Sequence, residues 1–253
     1  MARQGGILKV RGKLDDMSFY QGKGRKNKTE HLVRQKGGVS AERIANDPNF
    51  QRVRENNSEF ARAGLMTKAV YNAFVNVTID ARDGQAASRL TKAFRENLAK
   101  DDVNVRGERE IQWDDMAELD GFQFNATRQF NATYGGKFSA VKKDKDLVVE
   151  VAEILPLYDI KNQAEASHAR LEICVLTIGM DGSTRDKTQA MSFIDCYQET
   201  AFGASSLVFE GAAEDAETIL ICVSVKLFQE MNGAKYLLRN KSFNASTLLP
   251  ALV

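Results

Sequence analysis

At 253 residues, 43% hydrophobic and 27% charged, the chain is long enough to bury a core and too apolar to stay disordered. It contains no apolar run of about 18 residues and no apolar stretch behind its basic start, so neither a transmembrane helix nor a cleaved secretory signal is expected. The net charge of +1 hides an asymmetry: residues 1–45 hold eleven Lys/Arg against four Asp/Glu, a balance of +7 that leaves −6 on the remainder. A basic arm on an acidic body is charge-complementary within one sequence.

The arm reads as β-rich. Segments 7–14 and 17–21 are predicted strands around Asp15-Asp16, and 29–35 is a third, after the tract GKGRKNK. With so few apolar side chains, residues 1–45 cannot bury enough surface to stand alone and need another surface to lie on. Strand addition to a neighbour's sheet edge would supply main-chain hydrogen bonds at little apolar cost. The candidate interface residues are Arg3, Lys9, Arg11, Lys13, Lys23, Arg25, Lys26, Lys28, Arg34 and Lys36, with Phe19 and Tyr20 among them. The same basic and aromatic set defines the alternative, a nucleic-acid-binding arm: cations for phosphates and rings for stacking. Against that alternative stand an acidic body and the lack of a recognition motif.

Residues 46–105 read as helical. Asp47-Pro48 is an N-cap followed by proline at the first helical position. Phe50, Val53, Asn57, Phe60 and Ala61 follow helical spacing, and Gly64 is the expected stop. Met66, Val70, Ala73, Phe74 and Val77 continue as a second segment. Ala87, Leu90, Phe94 and Leu98 mark a third. Phe50, Phe60, Phe74 and Phe94 are therefore expected in the core.

From about residue 106 the pattern changes to strands, at 147–154, 168–178, 188–197, 205–210 and 217–230, separated by turn tracts such as Gly179-Met180-Asp181-Gly182. Asn232-Gly233 is the strongest hairpin signal. The expected fold class is α+β: an N-terminal β-hairpin arm (1–45), a short helical segment (46–105) and a C-terminal antiparallel β-sandwich (106–253). A small echo, Phe-Asn-Ala-Thr/Ser at 124–127, 130–133 and 243–246, reads as tight Asx-type turns anchored by buried phenylalanines.

Chemistry leaves few traces. Cys174, Cys196 and Cys222 each sit in an apolar run without metal-ligand spacing, as reduced, buried small hydrophobes do. His31 and His168 form no His-x-x-x-His pair, so a zinc site has no signature. GKGRKNKT lacks the spacing of a phosphate-binding loop. Asp114-Asp115, beside the lone Trp113, reads as the cap of a following turn. Catalytic residues, cofactor and metal sites are not expected.

The opening GGILKVRGKLDDMSFYQGK...LVRQKGGVSAERIANDPNFQRVRENNSEFARAG resembles the start of an uncharacterised bacterial family, typical of Bacteroidota and their mobile elements. The ending VSVKLFQEMNGAKYLLRNKSFNAS is similar to that family's C-terminal strand pair. The resemblance implies a bacterial or phage setting and carries no catalytic residue. Together these features predict a non-enzymatic structural protein. It would self-assemble with copies of itself into a filament, tube or virion-like shell through the arm, in the cytoplasm or in an assembled particle, with no membrane partner. Nucleic-acid packaging is the alternative.

Overall fold

The computed structural model describes residues 2–23, 28–35, 37–161, 166–179, 183–239 and 243–250. The chain is α+β and forms two compact units, residues 1–54 and 55–253.

In the first unit, β1 (Ala2–Arg3), β2 (Gly12–Leu14), β3 (Met17–Lys23) and β4 (Thr29–Gln35) form one antiparallel sheet in the order β1-β4-β3-β2. The predicted hairpin around Asp15-Asp16 is present: Leu14 pairs with Met17, and Asp15 takes a φ of 51° to close the two-residue turn. The strand expected from residue 7 is shorter, because the Gln4 side chain captures both backbone groups of Val10 and holds the segment between them as a loop. Val10 N donates to Gln4 Oε1 at 2.8 Å, and Gln4 Nε2 donates to Val10 O at 3.1 Å. After the sheet, α1 (Ala41–Asn46) is capped by Ser40 Oγ, which accepts from Arg43 N. Asp47 then accepts from Asn49 N and Pro48 opens a 3-10 turn, the start signal expected of that pair.

The boundary between the units falls in the first turn of α2 (Gln51–Ala73). Gly64, the expected stop, lies inside this helix, whose buried stripe is Glu59, Ala63, Thr67 and Val70. Tertiary packing of that stripe outweighs the cost of about 1 kcal/mol for one internal glycine. The stripe also corrects the phenylalanine assignment. Phe74 and Phe94 are fully buried, Phe50 is half-buried, and Phe60 is 56% exposed with the Arg95 guanidinium 5.9 Å from its ring centre. Phe60 is one position past Glu59, and one position is about 100° of helix, enough to leave the buried side. Next come α3 (Val75–Thr78) and α4 (Ala86–Leu98).

Residues 106–137 contain 3-10 turns and irregular backbone where strands were expected to begin. The first strand of this unit is β5 (Phe138–Lys143), followed by β6 (Asp146–Val151) and the short α5 (Pro156–Asp159). Then come β7 (His168–Gly179), β8 (Thr184–Ala190), β9 (Ile194–Asp195), β10 (Ser205–Phe209), β11 (Ala216–Met231), β12 (Ala234–Leu237) and β13 (Ala245–Leu248). The predicted strand 188–197 is thus two pieces, β8 and β9, both pairing with β7. The turn expected at 179–182 lies largely outside the described residues. Asn232-Gly233 turns the β11–β12 hairpin with φ of 53° and 78°, as that dipeptide predicts.

Two antiparallel sheets result, a three-stranded one ordered β10-β6-β5 and a six-stranded one built on β7 and β11. Alternation along β7 and β11 explains why both read as continuous apolar runs. Ile173, Val175, Ile221 and Val223 share a core with Val149, Val151 and Phe209 of the small sheet. Cys174, Leu176, Leu220 and Cys222 pack instead with Val70, Phe74, Leu90 and Phe94 of the helices. Both faces are covered, so both sets of alternate residues must be apolar. Along one side, β8 reaches the small sheet through side chains: Gln189 Nε2 donates to Val208 O at 2.6 Å, and Lys187 donates to the carbonyl of Glu210.

Candidate assembly surface of the N-terminal unit

The register of the first sheet sorts its side chains into two faces, because residues directly opposite each other in an antiparallel pair point the same way. Lys13 stands across from Ser18, Ser18 from Arg34, Tyr20 from Leu32, and Leu32 from Arg3. This face is polar: Arg3 pairs with Glu30 at 3.1 Å, and the Arg34 guanidinium lies 5.3 Å from the Tyr20 ring centre. A groove of 340 Å³ on it is lined by Lys13, Asp15, Ser18, Arg34 and Gly37.

The other face carries Leu14 across from Met17, Gly12 across from Phe19, Phe19 across from Val33, and Val33 across from Ala2. It is apolar at its centre, where Phe19 and Val33 are half-buried, and open to solvent beside them, with Leu14 63% and Met17 45% exposed. A groove of 670 Å³ runs over it between Ala2, Met17, Val33 and Gln35, with Asp16 and Arg34 at its edge. Among the described residues of this unit none is buried. A sheet with one apolar face and no second layer has not completed the burial that stabilises a fold.

Beside the sheet, the loop held by Gln4 presents Ile7 and Leu8, both almost fully exposed. Gln4 also ties this loop to β4, since its backbone N donates to His31 O at 2.8 Å and its side chain reaches Leu32 O at 3.3 Å. The Lys9 amine bonds the Gln4 carbonyl, closing the same loop from its other end.

The sheet therefore divides the predicted interface residues. Arg3, Lys13, Tyr20 and Arg34 share the polar face, while Phe19 and Lys23 alternate onto the apolar one. Lys9 and Arg11 lie in the Gln4-held loop and its continuation into β2, and Lys28 is exposed just before β4. Arg25, Lys26 and Lys36 lie outside the described residues. Leu14, Met17 and Val33, which charge-based reading passed over, form the apolar surface with Phe19. Their signal was the period-two alternation of Met17 and Phe19, and it becomes a surface only once the register brings Leu14 and Val33 alongside.

Elsewhere, the expected turn motifs divide. Asn125 Oδ1 accepts from Thr127 N and Arg128 N beside the buried Phe124, an Asx turn as anticipated. Asn244 instead bridges elements, accepting from Leu227 N at 2.9 Å and donating to Leu238 O at 2.7 Å. Asp115 accepts from Ala117 N at 3.4 Å at the head of a 3-10 turn and pairs with Lys100 at 2.7 Å. Among the described residues no group of three or more His, Cys, Asp or Glu is placed to hold a metal ion, and no helix is long and apolar enough to cross a membrane. No family model, curated protein or solved structure matches the chain.

Proposed function

We propose that the chain is a non-enzymatic structural protein that self-assembles through its N-terminal arm, with residues 106–253 supplying a sandwich-like body for a filament, tube or virion-like shell. The observation that carries this reading is the apolar face formed by Leu14, Met17, Phe19 and Val33, exposed at Leu14 and Met17, in a unit whose described residues include no buried one. The second unit encloses two apolar cores built from its own residues. An element that the body does not need for its core, and that displays an unfilled apolar face, is suited to binding another surface. The bacterial or phage setting implied by the sequence resemblance, and a place in the cytoplasm or in an assembled particle, belong to this proposal.

A second reading, nucleic-acid packaging, is favoured by the polar face, where Lys13 and Arg34 stand beside Tyr20. The two separate by experiment. Removing residues 1–45 should leave a folded protein by circular dichroism that no longer associates in sedimentation velocity. Assembly unchanged by the deletion would refute the arm's role. Association that appears only with added oligonucleotide, and weakens steeply with salt, would favour the second reading.

A further inference from the structure

The arm's apolar face needs a cover of matching chemistry, and charge points to where it lies. Residues 101–120 hold eight Asp/Glu against two Lys/Arg, a surplus of six that equals the entire acidic surplus of residues 46–253. The acidic excess of the body therefore sits in one segment.

That segment is held in place by hydrogen bonds and exposes two valines. The buried Asp101 carboxylate accepts from Val103 N, Asn104 N and Glu110 N at 3.0, 3.1 and 2.8 Å. Gly107, at a φ of 93°, is seated on α2: its N–H donates to Glu59 Oε1 at 2.9 Å and its carbonyl accepts from Ser58 Oγ at 2.7 Å. A side chain at 107 would meet the Glu55 backbone at 3.0 Å, so this close seating requires glycine. Asn97 clamps the following stretch through Gln112 N, Gln112 O and Asp115 O. At the tip, Val103 is 87% and Val105 68% exposed. The neighbouring carboxylates of Asp102, Glu108 and Glu110 are exposed and form no ion pair among the described residues.

We propose that the apolar face of the arm sheet docks on the 101–120 segment of a second copy, with Val103 and Val105 entering the groove between Ala2, Met17 and Val33. This rests on the assembly reading and gives it a partner surface. Both surfaces have an apolar centre, and the charges around them are mainly opposite, the one cation beside the tip, Arg106, being held by Asn56 and Glu55 of its own chain. Lys23 stands on the arm face and Lys9 and Arg11 lie in the loop beside it; Asp102, Glu108 and Glu110 flank the tip. Pairing of two arms face to face would set one +7 segment against another, which like-charge repulsion opposes. Arm-to-body contact uses two different patches. It therefore propagates from copy to copy and closes only if the rotation returns to the start. The hydrogen-bonded scaffold under Val103 and Val105 reduces the ordering cost of binding.

The test uses full-length chains and a charge swap read by sedimentation velocity. One variant reverses the segment (Asp102→Lys, Glu108→Lys, Glu110→Lys) and another reverses the arm (Lys9→Glu, Arg11→Glu, Lys23→Glu). Each alone should associate at least about tenfold more weakly than the original chain, and an equimolar mixture should recover association, since each reversed arm then meets a reversed segment. A misfolded variant could not be rescued by mixing, so recovery also reports on folding. Val103→Ser with Val105→Ser, which leaves charge untouched, should weaken association as well. If the segment variants associate like the original chain, this docking is wrong while the assembly reading stands. Two weakened variants that do not recover on mixing also overturn it. An original chain that stays monomeric at every concentration overturns the assembly reading itself.

Discussion

Cys174 on β7 stands directly across from Cys222 on β11, both on the helix-covered face of the large sheet and both without solvent exposure. Burial pushes the Cys174 thiol up to about 11 and raises Cys222 well above its ordinary range; burial also lifts the third, Cys196, to about 12. The nucleophilic thiolate is therefore scarce in the folded protein at neutral pH. All three cysteines are free. A thiol reagent at pH 8 should react negligibly with the native chain and count three thiols once it is denatured. Because the unfolded thiols ionise near pH 8.5 while the folded ones stay protonated, stability should fall as pH rises above that value. Fast labelling of the native protein, or fewer than three thiols without reductant, would contradict this setting.

Phe94 and Phe60 make a matched pair of tests. Phe94 is fully enclosed between α4 and the large sheet, so Phe94→Ala should cost about 3–5 kcal/mol in a denaturant titration. Phe60 is more than half exposed, and Phe60→Ala should cost well under half as much. Equal losses at the two positions would mean that the buried side of α2 is misassigned.

Asp101 should make the 101–110 loop acid-sensitive. Its carboxylate is held well below the usual carboxylate range by the Glu110 backbone N–H first, then by Asn104 and Val103. A depressed carboxylate contributes stability that is complete above its unfolded value near 4 and is lost as pH falls toward the folded one. Asp101→Asn should lower Tm at pH 7 and shrink the drop in Tm between pH 7 and pH 3. An unchanged drop would show that other carboxylates govern acid unfolding.

Tyr134 and Gly136 are coupled sterically. A Cβ at position 136 would stand 2.2 Å from the Tyr134 hydroxyl oxygen, so Gly136→Ala should destabilise by about 1–3 kcal/mol through overpacking. The hydroxyl itself is buried and has no hydrogen-bond partner among the described residues. Tyr134→Phe removes an unpaired polar group and should be neutral or stabilising. In the double variant the loss from Gly136→Ala should shrink. A Tyr134→Phe loss above about 1 kcal/mol would reveal a hydrogen bond to that hydroxyl.

Lys226 is the test of a buried charge. Its ammonium lies on the helix-covered face of β11, 2.7 Å from Glu172 and 3.8 Å from Asp80, and donates to Asn76 O at 3.1 Å. Lys226→Met should be destabilising because it leaves Glu172 partly buried beside an apolar chain; removing one member of such a pair costs about 3–5 kcal/mol when burial is complete. The partial exposure of Glu172 places the expected loss below that range. Adding Glu172→Gln should recover part of it, and a double variant less stable than the single one would contradict the pairing.

The sequence alone determined whatever depends on near neighbours. Asp15-Asp16 and Asn232-Gly233 announce their turns because φ above zero at such positions is a local property. Asp47-Pro48 starts a helical stretch, and the long apolar runs of β7 and β11 mark central strands. The α+β class and the basic arm follow from the same local signals. Tertiary structure decided where distant segments meet. Gly64 passes inside α2 because Ala63, Thr67 and Val70 pack, and Phe60 points out because the buried stripe is set by the sheet beneath. In the arm, charge was legible, but the apolar surface was not. Leu14, Met17, Phe19 and Val33 become one face only through a strand register that no short window of sequence contains. The acidic 101–120 segment was equally plain as composition. Its conformation depends on Asp101 and Asn97 hydrogen bonds and on the seating of Gly107 against α2, across about fifty residues of chain, which local periodicity cannot encode.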